Sequence, residues 1–410
     1  MIPAIDGEQL LDDLETLGRI GALPTGGLNR VAYSPADQEG RVWVQTRMRR
    51  LALEVRTDPA GNTIGLYPGQ DNGLPPIGIG SHTDTVPEGG RYDGALGVLA
   101  ALACVQALHE AKIRLRHPVE VINFAAEEAT MSAGTIGSQA MIGLLDPTIL
   151  DKPAWDGRPV AEHLRAAGLD PAAAVSQAQR PQGSLAAFLE LHIEQGGSLE
   201  AANIPIGVVE GIVSIRRYAV TFPGYANHAG TTPMQSRQDA LVAAAPFILA
   251  VRDVAMAHNI VGTIGTLRVQ PGAPNVIPGR VEIGFEIRGL DEAVLDRVEA
   301  DLARQAGAAE AEFKRVSSKP PVQSDPRLLA ALTAACDELD LPYHRMPSGA
   351  GHDAMSMAHI APQAMLFVPS HGGVSHSPDE VTDPTDCVNG TRVMLAALLK
   401  LDSMLDPDNG

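Results

Sequence analysis

Two short apolar runs separated by one helical stretch constrain this chain more than anything else in it. "PPIGIGSHTD" (75–84) is an apolar run that ends in polar turn residues. "GALGVLAALACVQALHEA" (94–111) repeats apolar residues at helical spacing, and "HPVEVINFAAEE" (117–128) is a second apolar run that ends in charge. Strand, helix and strand at this spacing predict a βαβ unit and a parallel sheet. Ligands of open α/β sheets gather at the carboxyl ends of strands. Here those ends carry His82 and Asp84 after the first run, and Glu127 and Glu128 after the second.

From about Ile212 the texture changes. "IRRYAVTFPG", "GTIGTLRVQPG" and "GRVEIGFEIRGLD" are strand-like runs divided by Gly and Pro turns. They interleave with the helical "RQDALVAAAPFILAVRDVAMAH" and "DEAVLDRVEADLARQAGAA". After "SSKPPVQ" (317–323), which has the composition of a linker, α/β texture resumes with "PRLLAALTAACDELD", "QAMLFVP" and "CVNGTRVMLAALLKLD". The expectation is an α/β protein with a discontinuous catalytic domain (1–211 and 321–410), its central mixed sheet flanked by helices. A smaller α+β sandwich, a lid and dimerisation domain, is inserted at 212–320.

Composition narrows the function classes. With 45% hydrophobic and 20% charged residues over 410 positions, there is material for two cores. No stretch approaches the ~18 uninterrupted apolar residues of a membrane span. The acidic, amphipathic "MIPAIDGEQLLDDLETLG" is unlike a basic-then-apolar export signal, so a cytoplasmic protein is expected. A formal charge of −18 disfavours nucleic acid and anionic membranes as partners. It leaves small acidic substrates open, because one Arg in a pocket outweighs distant carboxylates. Cys104, Cys336 and Cys387 are scattered, with no CxxC pair, which argues against a disulfide framework and a thiolate zinc site.

The residues with chemistry to offer are His82, Asp84, Asp93, Glu127, Glu128, His192 in "ELHIEQG" and His376 in "SHSPDE". His, Asp and Glu are ligands for borderline divalent metals such as zinc, manganese, cobalt and nickel. Two ions a few Å apart need a bridging carboxylate, and Asp93 sits in a Gly-flanked turn open to approach from both sides. Glu127 and Glu128 adjoin at a strand end, so one can ligate while the other reaches a water.

"GSHTDTVPEGGRYDGALGVL", "AAEEATMSAGTIGS", "ELHIEQG", "ANHAGTTPM", "APNVIPG", "SGAGHDA" and "VPSHGGVSHSPDE" occur in an order that resembles the hydantoinase/carbamoylase amidases. These are a branch of the metal-dependent aminoacylase and carboxypeptidase superfamily. The resemblance runs from about residue 10 to 400. The eleven-residue step from His82 to Asp93 within "GGRYDGALG" separates this branch from its peptidase cousins, which insert a longer segment.

The resemblance implies two divalent ions per subunit (Zn, Mn, Co or Ni). His82, Asp93 and His192 would hold one; Asp93, Glu128 and His376 would hold the other. It further implies that Asp84 orients His82 and fixes its tautomer, and that Glu127 is the general base. His228 of "NHAG" would stabilise developing negative charge on oxygen. Gln195, Asn275, Arg288 and the backbone near Gly351 would contact substrate, Arg288 as a planar fork on a carboxylate. His352 and Asp353 are assigned to the pocket wall and His371 to a loop.

The implied activity is hydrolysis of a linear amide or ureido C–N bond, with an N-carbamoyl-L-amino acid or other ureido acid as substrate. The alternative is an aminoacylase- or dipeptidase-like hydrolase of N-acyl amino acids. A homodimer through the inserted domain is also expected, since its strands leave sheet edges to protect. Most relatives follow the Glu pair with Gly-Ser/Thr-Arg-Phe. This chain has Ala129, Thr130, Met131 and Ser132, which removes a cation and a ring from beside the site.

Overall fold

The computed structural model describes residues 2–405. The chain divides into two units: residues up to Glu210 together with those from Ser324 onward, and Gly211–Gln323.

The first unit is organised by strands β1 (Glu54–Thr57), β2 (Thr63–Tyr67), β3 (Ile77–His82), β4 (Val119–Phe124), β5 (Ala187–Ile193) and β6 (Ile206–Ile212). After the second unit's β7 (Ser214–Pro223), β8 (Val261–Gln270), β9 (Arg280–Gly289) and β10 (Glu312–Lys319) come β11 (Val322–Gln323), β12 (Tyr343–Ser348) and β13 (Gln363–Val368). The large sheet is mixed, in the order β1-β2-β4-β3-β5-β13-β6-β11, with β12 also on β6. Its centre is parallel: β4 to β3, β3 to β5 and β5 to β13.

Every residue of these four strands is buried. Parallel strands covered on both faces read as continuous apolar runs rather than alternating ones, and this is why "PIGIG" and "QAMLFV" show no period of two. Helices Gly7–Arg19, Ala95–Glu110, Pro326–Glu338 and Pro384–Met404 supply one covering core. Ala95–Glu110 is apolar nearly all round and accordingly buried. Truncating its Leu99 to Ala costs about 2–5 kcal/mol. The second core gathers Ala125, Met131, Ile136, Ile149 and Leu164.

The second unit is a four-stranded antiparallel sheet in the order β10-β7-β9-β8. Buried residues alternate with half-buried or exposed ones along β7 and β9, as an antiparallel sheet with one covered face requires. Helices Ala240–Ala257 and Glu292–Ala308 pack a core of Tyr218, Phe222, Phe247 and Phe285, with Tyr218 stacked on Phe285 at 4.7 Å. Ala240–Ala257 alone among the described helices has the length and apolarity to cross a membrane. It carries Arg252 and Asp253 and turns Ala240, Ala244, Phe247, Val251 and Ala255 into this core.

"SSKPPVQ" is not a free linker. Ser317–Lys319 finish β10 against β7, and Val322–Gln323 form β11 on β6, leaving only Pro320 and Pro321 between strands. Polar side chains on an exposed edge strand look like a loop in sequence.

Candidate dinuclear metal centre

The four central parallel strands bring their carboxyl ends to one side. His82 is the last residue of β3 and His192 the sixth of β5. Glu127 and Glu128 follow β4 by three and four residues, and His376 lies in the loop after β13. Register aligns His82 with Phe124 and His192 with Phe367, so residues up to 294 positions apart in sequence meet at one edge.

Asp93 stands between two groups. Its Oδ1 lies 3.1 Å from His192 Nε2 and 3.6 Å from His82 Nε2. Its Oδ2 lies 3.2 Å from His376 Nε2, which is itself 3.2 Å from Glu128 Oε1. His82, Asp93 and His192 therefore form one set of ligand atoms within metal range, and Asp93, Glu128 and His376 a second. Gly94 makes this approach possible. It adopts φ 63°, and a Cβ there would sit 2.4 Å from the His82 ring.

The donor set fits divalent cations. His82 Nδ1 faces the Asp84 carbonyl at 3.1 Å and His192 Nδ1 the Ile193 carbonyl at 2.9 Å. A neutral ring so held donates from Nδ1 and presents a bare Nε2 lone pair; His192 Nε2 is buried with no hydrogen-bond partner. Lone pairs of two imidazoles and a carboxylate pointed at one another require a positive charge among them. The titration tendencies agree. Burial opposes charge on His192, yet Asp93 outweighs it and pushes the ring up to about 9. Hydrogen bonds to Asp93 and Glu128 push His376 up to about 10. Burial would raise Asp93, but His192, His376 and His82 hold it well below the usual carboxylate range.

Glu127 stands outside both ligand sets, 3.7 Å from His82 Nε2. Burial, then Asp353 and Glu128, raise its carboxyl well above the ordinary value. The Asp84 carboxylate is 3.7 Å from His82 Nδ1, and it is the Asp84 backbone carbonyl that takes the ring's hydrogen bond. The carboxylate instead accepts the backbone N–H groups of Glu127 and Glu128, each at 3.2 Å. Asp84 thus fixes the His82 tautomer through its main chain and the Glu pair through its side chain. Ala126, Gln195 and His376 all adopt left-handed backbone (φ 52°, 57° and 54°), strain of the kind concentrated at functional loops. Gln195 Nε2 donates to Asp93 Oδ2 at 2.7 Å.

A buried layer lies beneath. Glu190 accepts Ser81 Oγ and Ala354 N, so both its oxygens are engaged. The His352 ring stands edge-on to His192 at 4.5 Å and holds Ser348 Oγ at 2.9 Å. Asp353 is buried and pushed well above the carboxylate range, chiefly by burial. Gly351, exposed, precedes His352. His371 is exposed, opens a one-turn 3₁₀ helix (His371–Gly373) rather than lying in irregular loop, and pairs with Glu200.

Three residues with clear roles escaped sequence inspection. Arg41, buried and paired with Asp37, donates to the Phe124 carbonyl at the end of β4. Glu380 and Ser375 bond around Asp93. Glu380 lies within "SHSPDE", yet nothing local sets it apart from a solvated turn residue.

His228, Asn275 and Arg288 belong to the second unit. His228 and Asn275 are neighbours there, through an Ala229 N to Asn275 O bond and a bridge from His228 to Val276. His228 Nδ1 accepts Gly230 N–H at 3.0 Å, so its neutral ring carries the proton on Nε2. Arg288, in β9, pairs with Glu286 at 2.6 Å.

Fold and site together define a class: hydrolases that gather two divalent-ion ligand sets around one shared carboxylate at the strand ends of a mixed α/β sheet. Residues 78–400 match the peptidase family M20/M25/M40. An N-carbamoyl-L-amino acid amidohydrolase of Geobacillus stearothermophilus is 39% identical over 405 residues, covering 97% of this chain and 99% of the relative. The allantoate amidohydrolase of Bacillus subtilis is 35% identical, over 96% and 97%. A crystal structure of a hydantoinase/carbamoylase family amidase from Burkholderia multivorans superposes with TM-score 0.88 at 34% identity, over 97% and 98%. The chain belongs to the M20/M25/M40 family and, within it, to the hydantoinase/carbamoylase amidases. It is a hydrolase of C–N bonds.

Proposed function

We propose that this enzyme hydrolyses an N-carbamoyl-L-amino acid to the amino acid, carbon dioxide and ammonia. The observation that carries the proposal is the placement of Asp93, one oxygen toward His82 and His192 and the other toward His376, with Glu127 left free beside them. His82, Asp93 and His192 would hold one ion, and Asp93, Glu128 and His376 the other; zinc, manganese, cobalt and nickel all suit imidazole and carboxylate donors. When bound, the ions supply an activated water and a polarised carbamoyl carbonyl.

Glu127 takes the proton of the attacking water and returns it to the departing nitrogen, an exchange worth ~10²–10⁴ in rate. Its raised proton affinity suits a group that must hold the proton between these steps. His228 offers Nε2–H to the developing oxyanion, its other nitrogen occupied by Gly230. Arg288 and Asn275 bind the substrate carboxylate, while Gln195 and the backbone at Gly351 complete the substrate contacts.

The names of the relatives support a ureido substrate, and that of the Bacillus subtilis protein supports allantoate as a second reading. The second unit would also join two subunits. β8 is an edge strand with Val261 and Leu267 exposed, and Val242, Leu249 and Met256 form an exposed stripe at seven-residue spacing on Ala240–Ala257.

A panel of N-carbamoyl, N-acetyl, dipeptide and allantoate substrates, run with each added metal, tests the proposal. The highest kcat/KM is expected on an N-carbamoyl-L-amino acid. A higher value on N-acetyl amino acids or dipeptides would replace it with the aminoacylase- or dipeptidase-like reading.

A further inference from the structure

We propose that Glu380 is a positioning residue for the two-ion centre: a buried carboxylate that ties the backbone of the shared ligand Asp93 to the loop carrying His376. Glu380 is 2% exposed. Its Oε1 accepts two consecutive main-chain N–H groups, Tyr92 at 2.9 Å and Asp93 at 3.0 Å. Its Oε2 accepts Ser375 Oγ at 2.9 Å, and that hydroxyl also lies 2.9 Å from Asp93 Oδ2. The 89–93 turn is shaped around this group, because a Cβ on Gly90 would stand 2.1 Å from Glu380 Oε1.

A carboxylate is costly to bury unless its donors repay the lost hydration. These donors are the main chain of one ligand residue and the side chain next to another, since Ser375 precedes His376. The contact spans 287 residues of sequence and fixes two quantities together: the rotation of Asp93, which must show one oxygen to each ligand set, and the approach of His376. His82 and His192 need no such brace, because β3 and β5 hold them. Loss of Glu380 therefore acts most on the Glu128–His376 side, where the placement of two of the three ligands, Asp93 and His376, depends on it.

This inference rests on the two-ion reading of the site, and its test is independent of which substrate is cleaved. Chelator-treated full-length protein and its Glu380→Ala, Glu380→Gln and Ser375→Ala variants would be titrated calorimetrically with Mn²⁺. The parent should bind two ions. In Glu380→Ala the first, still held by the strand residues His82 and His192, should weaken much less than the second, which should bind about 10–100-fold more weakly, the usual effect of losing an outer partner of a ligand. Gln, whose amide oxygen can still accept both N–H groups, should restore most of that loss. Turnover of Glu380→Ala should recover with excess Mn²⁺ while KM stays near the parental value.

Two ions bound as in the parent, or both weakened alike, would overturn the proposal. Should Glu380→Ala fail to fold, Ser375→Ala decides: selective weakening of the second ion supports the brace and unchanged binding removes it. A parent that binds two ions and cleaves no ureido acid would sink the functional reading and leave this one standing.

Discussion

Replacing Asp93 by Ala should empty both ion positions at once, and the structure indicates by how much. His192 is 1% exposed, and its ring is pushed from 6.5 up to about 9 by Asp93 against the opposing effect of burial. At ~1.4 kcal/mol per pKa unit, that is about 3 kcal/mol in favour of one positive charge at Nε2. Burial pulls the other way, and Asp93 is the largest of the favourable contributors, ahead of Glu190 and the Ile193 carbonyl. A dication at the same place carries twice the charge. Its affinity should therefore fall by about 3 kcal/mol, on the order of a hundredfold. On the other side, nearly half of the His376 side chain meets water, which screens the corresponding effect. The ligand there is lost all the same, because Oδ2 belongs to the same carboxylate. The assay is metal analysis of folded, dialysed protein, with circular dichroism to confirm the fold. Asp93→Ala should retain well under one ion per chain, whereas His376→Ala should retain close to one. Two tightly held ions in Asp93→Ala would refute the sharing argument, and equal losses in the two variants would refute the division into sides.

Glu127→Gln should keep both ions and lose about 10²–10⁴ in kcat, while Glu128→Gln should lose one ion; exchanged phenotypes in metal analysis and turnover would reverse the assignment. Arg288→Ala should raise KM, lower kcat and erase most of the preference for a substrate acid over its carboxamide, with Arg288→Lys rescuing only part; an unchanged acid-to-amide ratio would mean the carboxylate binds elsewhere. In chelator-treated protein the raised His192 stabilises the fold fully below pH 6.5, and this contribution fades as pH rises through about 9. Its melting temperature should fall across that window while the metal-loaded protein's does not, and parallel curves would contradict the pairing. Leu249→Glu, in the exposed stripe of Ala240–Ala257, should sediment as a monomer where the parent sediments as a dimer; a monomeric parent would dismiss the interface.

Much of this was legible in sequence for a definable reason. Two of the parallel strands announce themselves as unbroken apolar runs that end close to ligands, so His82 and the Glu pair could be placed from local pattern, whereas the strand that carries His192 was not read in the sequence. The pairing of ligands into two sets was not local, and came only from resemblance to relatives. Most of what stayed hidden is bonded to main-chain atoms, Ser375 excepted, whose hydroxyl meets the Asp93 and Glu380 carboxylates. The Asp84 carboxylate binds the N–H groups of Glu127 and Glu128, Arg41 binds the Phe124 carbonyl, and Glu380 binds the N–H groups of Tyr92 and Asp93. Backbone atoms are the same at every position, so no residue pattern marks them as a destination. "SSKPPVQ" misleads for the opposite reason, its polar side chains concealing a strand that is paired to β7 through its main chain.

The two ligand sets also differ in what carries them. His82 and His192 are strand residues deep in the sheet, whereas Glu128 and His376 ride on loops, His376 with left-handed backbone. A loop can open without any strand unpairing, and such local openings lie at the low end of a protein's free-energy scale. The inner position would then trade its ion only when the sheet edge breathes, and the outer one would trade on the timescale of loop motion. Brief dialysis against a second metal should leave a chain with the old ion inside and the new one outside. Such hybrids would let the chemical contribution of each position be measured without changing a single residue.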